Sequence, residues 1–175
     1  MNVDVLDESG TDADVERLAR LCRFVMRRMR LHPATELCVR LVDEDTIAAL
    51  NQQWMGGGGP TDVLSFPMDE LRPGTVDRDD AVVSTSPDVA AAGTGRDEGT
   101  NPDLGDIALC PQVAERQAPA AGHDPQDEVD LLLVHGVLHL LGFDHAEPDD
   151  HAHMFGLQAR LLGEWQQVRA GADIE

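Results

Sequence analysis

The stretch DPQDEVDLLLVHGVLHLLGFDH, residues 124–145, decides how the rest of the chain is read. Asp124 stands as an N-cap, Pro125 at the first helical position, and Asp127 and Glu128 near the positive end of the helix dipole, which sets the start and register of a helix. Leucines and valines from Leu131 to Leu141 make that helix apolar almost all round, so it should be buried. His135 and His139 are four residues apart and lie one turn above the other, so their imidazoles can converge on one ion. Gly142 can take the left-handed conformation that ends a helix and folds the chain back, bringing His145 toward the same point. Three neutral histidines with an open fourth position are the donor set of a catalytic zinc, with bonds of about 2.0–2.1 Å, whereas structural sites close with four ligands rich in cysteine. The expectation is one Zn2+ per chain on His135, His139 and His145.

Outward from this helix, Val3 and Val5 alternate as in an edge strand, and Glu36 to Val42 reads as a second strand. Between them, Leu18, Cys22, Val25 and Met29 recur at helical spacing, with Arg20, Arg23, Arg27 and Arg30 on a different arc. Asp43 is placed to cap a short helix over residues 45–53. The run Gly56 to Gly59 followed by Pro60 requires a loop, which leads into a strand over Thr61 to Phe66 stopped by Pro67. Leu104 to Cys110 reads as another strand and Gln112 to Ala121 as a helix. Residues 72–103 are rich in Pro, Gly, Ser, Thr, Asp and Ala without a sustained period, which predicts a flexible acidic insertion. The whole is an α/β chain, a single domain over residues 1–170 in which a small mixed sheet is sandwiched with helices.

At 175 residues such a domain buries a core without cross-links or structural metal, so a metal is expected to serve chemistry. No basic and apolar leader opens the sequence and no apolar run is long enough to span a bilayer, so the expected setting is the cytoplasm, away from membranes. Cys22, Cys38 and Cys110 sit among apolar neighbours and read as core residues. A net charge of -20 disfavours general nucleic-acid binding. All 13 basic residues are arginine, however, and six of them crowd between Arg17 and Arg30, which makes the cationic charge local.

The spacing H-x-x-x-H-x-x-G-x-x-H is also that of metzincin peptidases, but these need a glutamate where this chain has Gly136, and glycine cannot take a proton. The full string HGVLHLLGFDH instead resembles the signature of the YbeY family. Thr61-Asp-Val-Leu-Ser-Phe-Pro67 and Leu104-Gly-Asp-Ile107 agree with the same family, and the resemblance runs from about Val15 to Trp165, the insertion excluded. It implies a zinc-dependent, single-strand-preferring endoribonuclease acting in 16S rRNA 3′-end maturation and ribosome quality control, with ribosomal RNA and the small ribosomal subunit as partners. It also implies a metal cleft beside the Thr61 to Phe66 strand. One departure stands out: family members often carry an arginine after the aromatic residue of the Leu-Asn-x-x-aromatic segment, and here Trp54 is followed by Met55. The alternatives are a zinc hydrolase of another substrate and a non-catalytic ribosome-assembly factor.

Roles for the remaining polar residues follow from residue type. Asp106, inside an apolar strand, should have a partner, and a site role and a purely structural one are equally expected; Asp144 either serves the site or caps its turn. Thr61 and Ser65 carry hydroxyls able to contact phosphate, although strand hydroxyls are more often structural. Arg20, Arg23, Arg27 and Arg30 are the candidate RNA footing. His32, His123, His151 and His153 read as surface or capping residues, with His151 able to approach the site. With glycine at 136 no general base is evident, which favours attack by metal-activated water over attack by the substrate's own 2′-hydroxyl.

Overall fold

In a computed structural model, residues 1–68, 76–77, 82–83, 102–143 and 147–172 are described. Four strands form one mixed sheet in the order β1-β2-β6-β3, with β1 (Asn2–Asp7), β2 (Glu36–Leu41) and β6 (Asp103–Leu109) parallel and β3 (Val63–Pro67) antiparallel to β6. Parallel neighbours need a crossover, and α1 (Val15–Arg28) supplies it between β1 and β2. The chain continues through α2 (Glu44–Met55), α3 (Pro111–Ala121), α4 (Pro125–Leu140) and α5 (Pro148–Ala172). Of the predicted insertion, only Val76–Asp77 (β4) and Val82–Val83 (β5), a short antiparallel pair, and the residues from Pro102 onward are described; the rest lies outside the described residues.

Strand alternation sends side chains to two cores. Leu37, Val39, Leu41, Ile107 and Leu109 face α1, α4 and α5, whereas Leu64, Ala108 and Cys110 face Ile47 of α2. The helix carrying the paired histidines is therefore packed between the sheet and other helices, as its all-round apolar sequence requires. Burial also explains the cysteines: Cys22 is fully enclosed, and loss of hydration pushes its thiol up to about 12.

Several elements differ from their sequence reading. The first helix ends at Arg28, where Met29 takes the cap, and Arg30 follows with a left-handed φ of 55°, so Arg30 is not part of the helical arc. Asp124 occupies the cap position of α4 without a side-chain capping bond, while Asp14 and Asp43 do cap their helices, accepting from the backbone N–H of Arg17 and Thr46. The 25-residue α5 was not expected from the sequence, because Gly156, Gly163 and Gly171 dilute a stripe of Met154, Leu157, Leu161 and Trp165 that is nonetheless buried. Gly105 is required where β6 meets β3: its φ is 130°, and a Cβ there would lie on the carbonyl oxygen of Phe66 in the paired strand.

Candidate metal centre and its cavity

The pair of histidines meets as the helical spacing predicts. Their Nε2 atoms are 3.0 Å apart and their rings stand edge to face. His135 Nδ1 lies 3.0 Å from the amide oxygen of Gln158 on α5, and since an amide oxygen only accepts, the ring carries its proton on Nδ1. In the neutral ring this leaves the Nε2 lone pair directed at His139, the arrangement a histidine ligand needs. Nitrogens about 2.0–2.1 Å from a tetrahedral ion sit roughly 3.3 Å apart, so the spacing of these two imidazoles is compatible with one such ion.

The turn that follows is also the expected one. Phe143 N–H donates to Leu138 and Gly142 N–H to His139, with Gly142 at φ 92°, which is a Schellman reversal. Phe143 then stacks on His153 of α5. His145 and Asp144 lie outside the described residues, and among the described residues no group of three metal-ligating side chains comes together.

Both imidazoles open onto a cavity of about 600 Å3 between α4, β3 and α5, walled by Leu131, Leu132 and Phe155 beside them. Ser65 reaches it from β3, but its hydroxyl donates to the Gly136 carbonyl at 3.0 Å, so it pins the strand to the histidine helix as well as lining the cavity. Thr61 precedes β3, half-buried, with its hydroxyl 3.4 Å from Asp62, and is not among the residues that line the cavity. Arg20, Arg23, Arg27 and Arg30 do not line it either; Arg23 lies 3.9 Å from Glu16. Asp106, by strand parity, faces the α2 side and opens onto a second cavity with Arg40. It is exposed and needs no buried partner, and the structure does not bring it to the imidazoles; loss of hydration on the strand and the neighbouring Asp103 carboxylate raise its pKa, and Arg40 lowers it.

Two residues of the site escaped sequence reasoning. Gln158 is buried in the apolar stripe of α5, and a lone amide on such a stripe is the signal that marks it. Glu128, also buried, lines the cavity and pairs with His123, which is therefore not a plain surface histidine. Glu128, Leu131, Leu132, His135 and His139 form one helical stripe, with the acid two turns before His135. His151 stacks on Phe155, itself a cavity wall.

Gly136 has a packing role that its missing side chain conceals. A Cβ there would lie 3.2 Å from Ile107 Cδ1 and 3.3 Å from Ser65 Oγ, so glycine is what lets the helix approach the sheet. Gly136→Glu should thus lower stability by about 1–3 kcal/mol through overpacking. It should also bring no peptidase activity, since the carboxylate would start against β6 and β3; thermal unfolding and a casein digest check both, and a stable, proteolytic variant would refute the packing argument.

The family model described as Endoribonuclease YbeY matches residues 5–166. The Endoribonuclease YbeY of Nocardioides sp. is 55% identical over 166 residues, covering 95% of this chain and 99% of the relative. That of Thermobifida fusca is 53% identical, covering 95% and 96%. The solution structure of TM1509 from Thermotoga maritima aligns with a TM-score of 0.56 at 26% identity, covering 99% of this chain and 95% of the other. With its histidine helix, its mixed sheet and its sequence matched along nearly the whole length, the chain belongs to the YbeY endoribonuclease family.

Proposed function

We propose that this chain is a cytoplasmic, zinc-dependent endoribonuclease that prefers single strands and acts on 16S rRNA at its 3′ end, in maturation and ribosome quality control on the small subunit. The observation that carries the reading is the convergence of the His135 and His139 Nε2 atoms on the wall of the cavity, with Gln158 holding His135 in the ligating tautomer. His145, two residues beyond the described turn, is the proposed third ligand. Family membership supports an RNA substrate, and no helix among the described residues is long and apolar enough to cross a membrane.

When bound, zinc would supply a Lewis acid and bring a water's pKa to about 7. The chain's own residues do the rest. Gln158 keeps the Nδ1 proton of His135 in place, Ser65 ties β3 to the helix, and Leu131, Leu132 and Phe155 form the apolar wall beside the imidazoles. Glu128 is seven residues from His135, roughly 10 Å along the helix, too far to share one phosphate with it. Asp106 and Asp144 are kept as candidate positioning groups, and Arg20, Arg23, Arg27 and Arg30 with Thr61 as contacts to more distant parts of the RNA.

Chelation separates the competing readings. If zinc removal abolishes cleavage of a single-stranded precursor while circular dichroism and melting barely change, the metal is catalytic; a large loss of fold favours a structural metal in an assembly factor. Among the described residues no carboxylate is seen in contact with the two imidazoles, so water is the expected nucleophile, and an oligonucleotide with one 2′-deoxy residue at the cleavage position should still be cut. Products ending in a 2′,3′-cyclic phosphate, with a resistant deoxy substrate, would show that the 2′-hydroxyl attacks.

A further inference from the structure

A second cavity, of about 530 Å3, adjoins the first and shares Met55, Ser65 and Pro67 with it. Trp54 at the end of α2 lines it, 63% exposed, and its indole is held edge to face against Phe66 at 6.3 Å between ring centroids. Asp106 and Arg40 line the same cavity; Arg40 donates from Nε and Nη2 to Glu8 at 3.1 and 2.7 Å, which leaves Nη1 as the donor beside the Asp106 acceptor. Six large hydrophobic side chains are exposed among the described residues; Trp54, Met55 and Phe155 line one or both cavities, and Met68 follows the shared Pro67. Exposed apolar groups gathered at connected cavities mark a ligand surface.

The charge of the chain indicates which ligand chemistry holds there. At a net -20, phosphate contacts alone are a poor source of affinity for RNA. Stacking of bases on aromatic rings does not depend on charge and tolerates any sequence. Trp54 is exposed, rests edge to face against Phe66, and is one shared wall away from the histidines. We infer that the Trp54 cavity is a nucleobase subsite: an unpaired base flanking the scissile phosphate stacks on the indole, with its edge toward Asp106 and Arg40. The inference rests on the ribonuclease reading, and it accounts for a preference for single strands, because a paired base cannot leave its stack to enter a cavity.

The test uses the full-length, metal-replete protein and a set of single-stranded oligoribonucleotides, each with one abasic position. One position flanking the cut should lower kcat/KM roughly tenfold in the wild type, and Trp54→Ala should cost about the same on the intact RNA. The two losses should not multiply, and Trp54→Phe should recover most of the activity. Mixing with RNA should quench tryptophan fluorescence before cleavage products appear; the other of the two tryptophans, Trp165, is 5% exposed, so the signal reports Trp54. If the wild type cuts RNA but abasic and Trp54→Ala losses multiply, or Trp54→Ala has no effect, the subsite is wrong and the exposed indole belongs to a protein contact. A wild type that neither binds nor cuts RNA would overturn the ribonuclease reading itself.

Discussion

Replacing His139 with alanine should reduce RNA cleavage by about 1000-fold or more while leaving the melting temperature nearly unchanged. Metal catalysis supplies several kcal/mol of charge stabilisation in the transition state, and each ~1.4 kcal/mol is tenfold in rate. His139 is only half-buried and its main-chain bonds do not depend on its ring, so the helix persists. Metal content should fall well below one per chain. Gln158→Leu provides the graded comparison: it removes the acceptor on His135 Nδ1 but no ligand, for which a loss of about 10- to 100-fold is expected. Equal metal content and undiminished cleavage in His139→Ala would remove the metal centre from the mechanism, leaving the 3.0 Å contact as a proton shared between two rings.

Arg17→Met should destabilise the fold by about 3–5 kcal/mol at pH 7, since removing one partner of a buried pair strands the other charge. Arg17 donates to Asp130 at 2.7 Å, both side chains are almost wholly enclosed, and the bond ties α1 to the start of the histidine helix. Arg169, at 3.7 Å, is the remaining cation. Burial pushes the Asp130 carboxyl above the ordinary carboxylate range even with Arg17 beside it, which lowers it. The sign of the pH dependence follows. A folded pKa above the unfolded one means that the fold favours the protonated acid, so the penalty in Arg17→Met is full above the folded pKa and shrinks as pH falls through it. Denaturant melts across that range check this, and a penalty that grows toward acid pH would contradict it. Arg17→Met with Asp130→Leu should recover most of the stability.

Local patterns carried the sequence a long way. The spacing of four between His135 and His139 and the glycine at 142 are properties of one helix and its stop, so the convergence of two rings and the reversal after Leu141 were legible before any fold was known. The same holds for the cap at Asp43 and for the strands, whose bounds shift by only one or two residues. Arg30 was misread because a helix terminus depends on whether the next turn finds packing, which periodicity does not report.

By itself, then, the sequence determined the helix, its register, the two converging rings and the family, because each is written in residues close together along the chain. Tertiary structure alone decided what surrounds those rings. Gln158 reaches His135 from 23 residues away, Glu128 meets His123 across a helix junction, and Gly136 is glycine because Ile107 lies behind it. For Asp106 the sequence left a site role and a structural one equally open, and strand alternation places it in the cavity that Trp54 lines. Such contacts join segments that only the packing of sheet and helices brings together, and side-chain parity within a sheet becomes a direction only once the layers on each face are known.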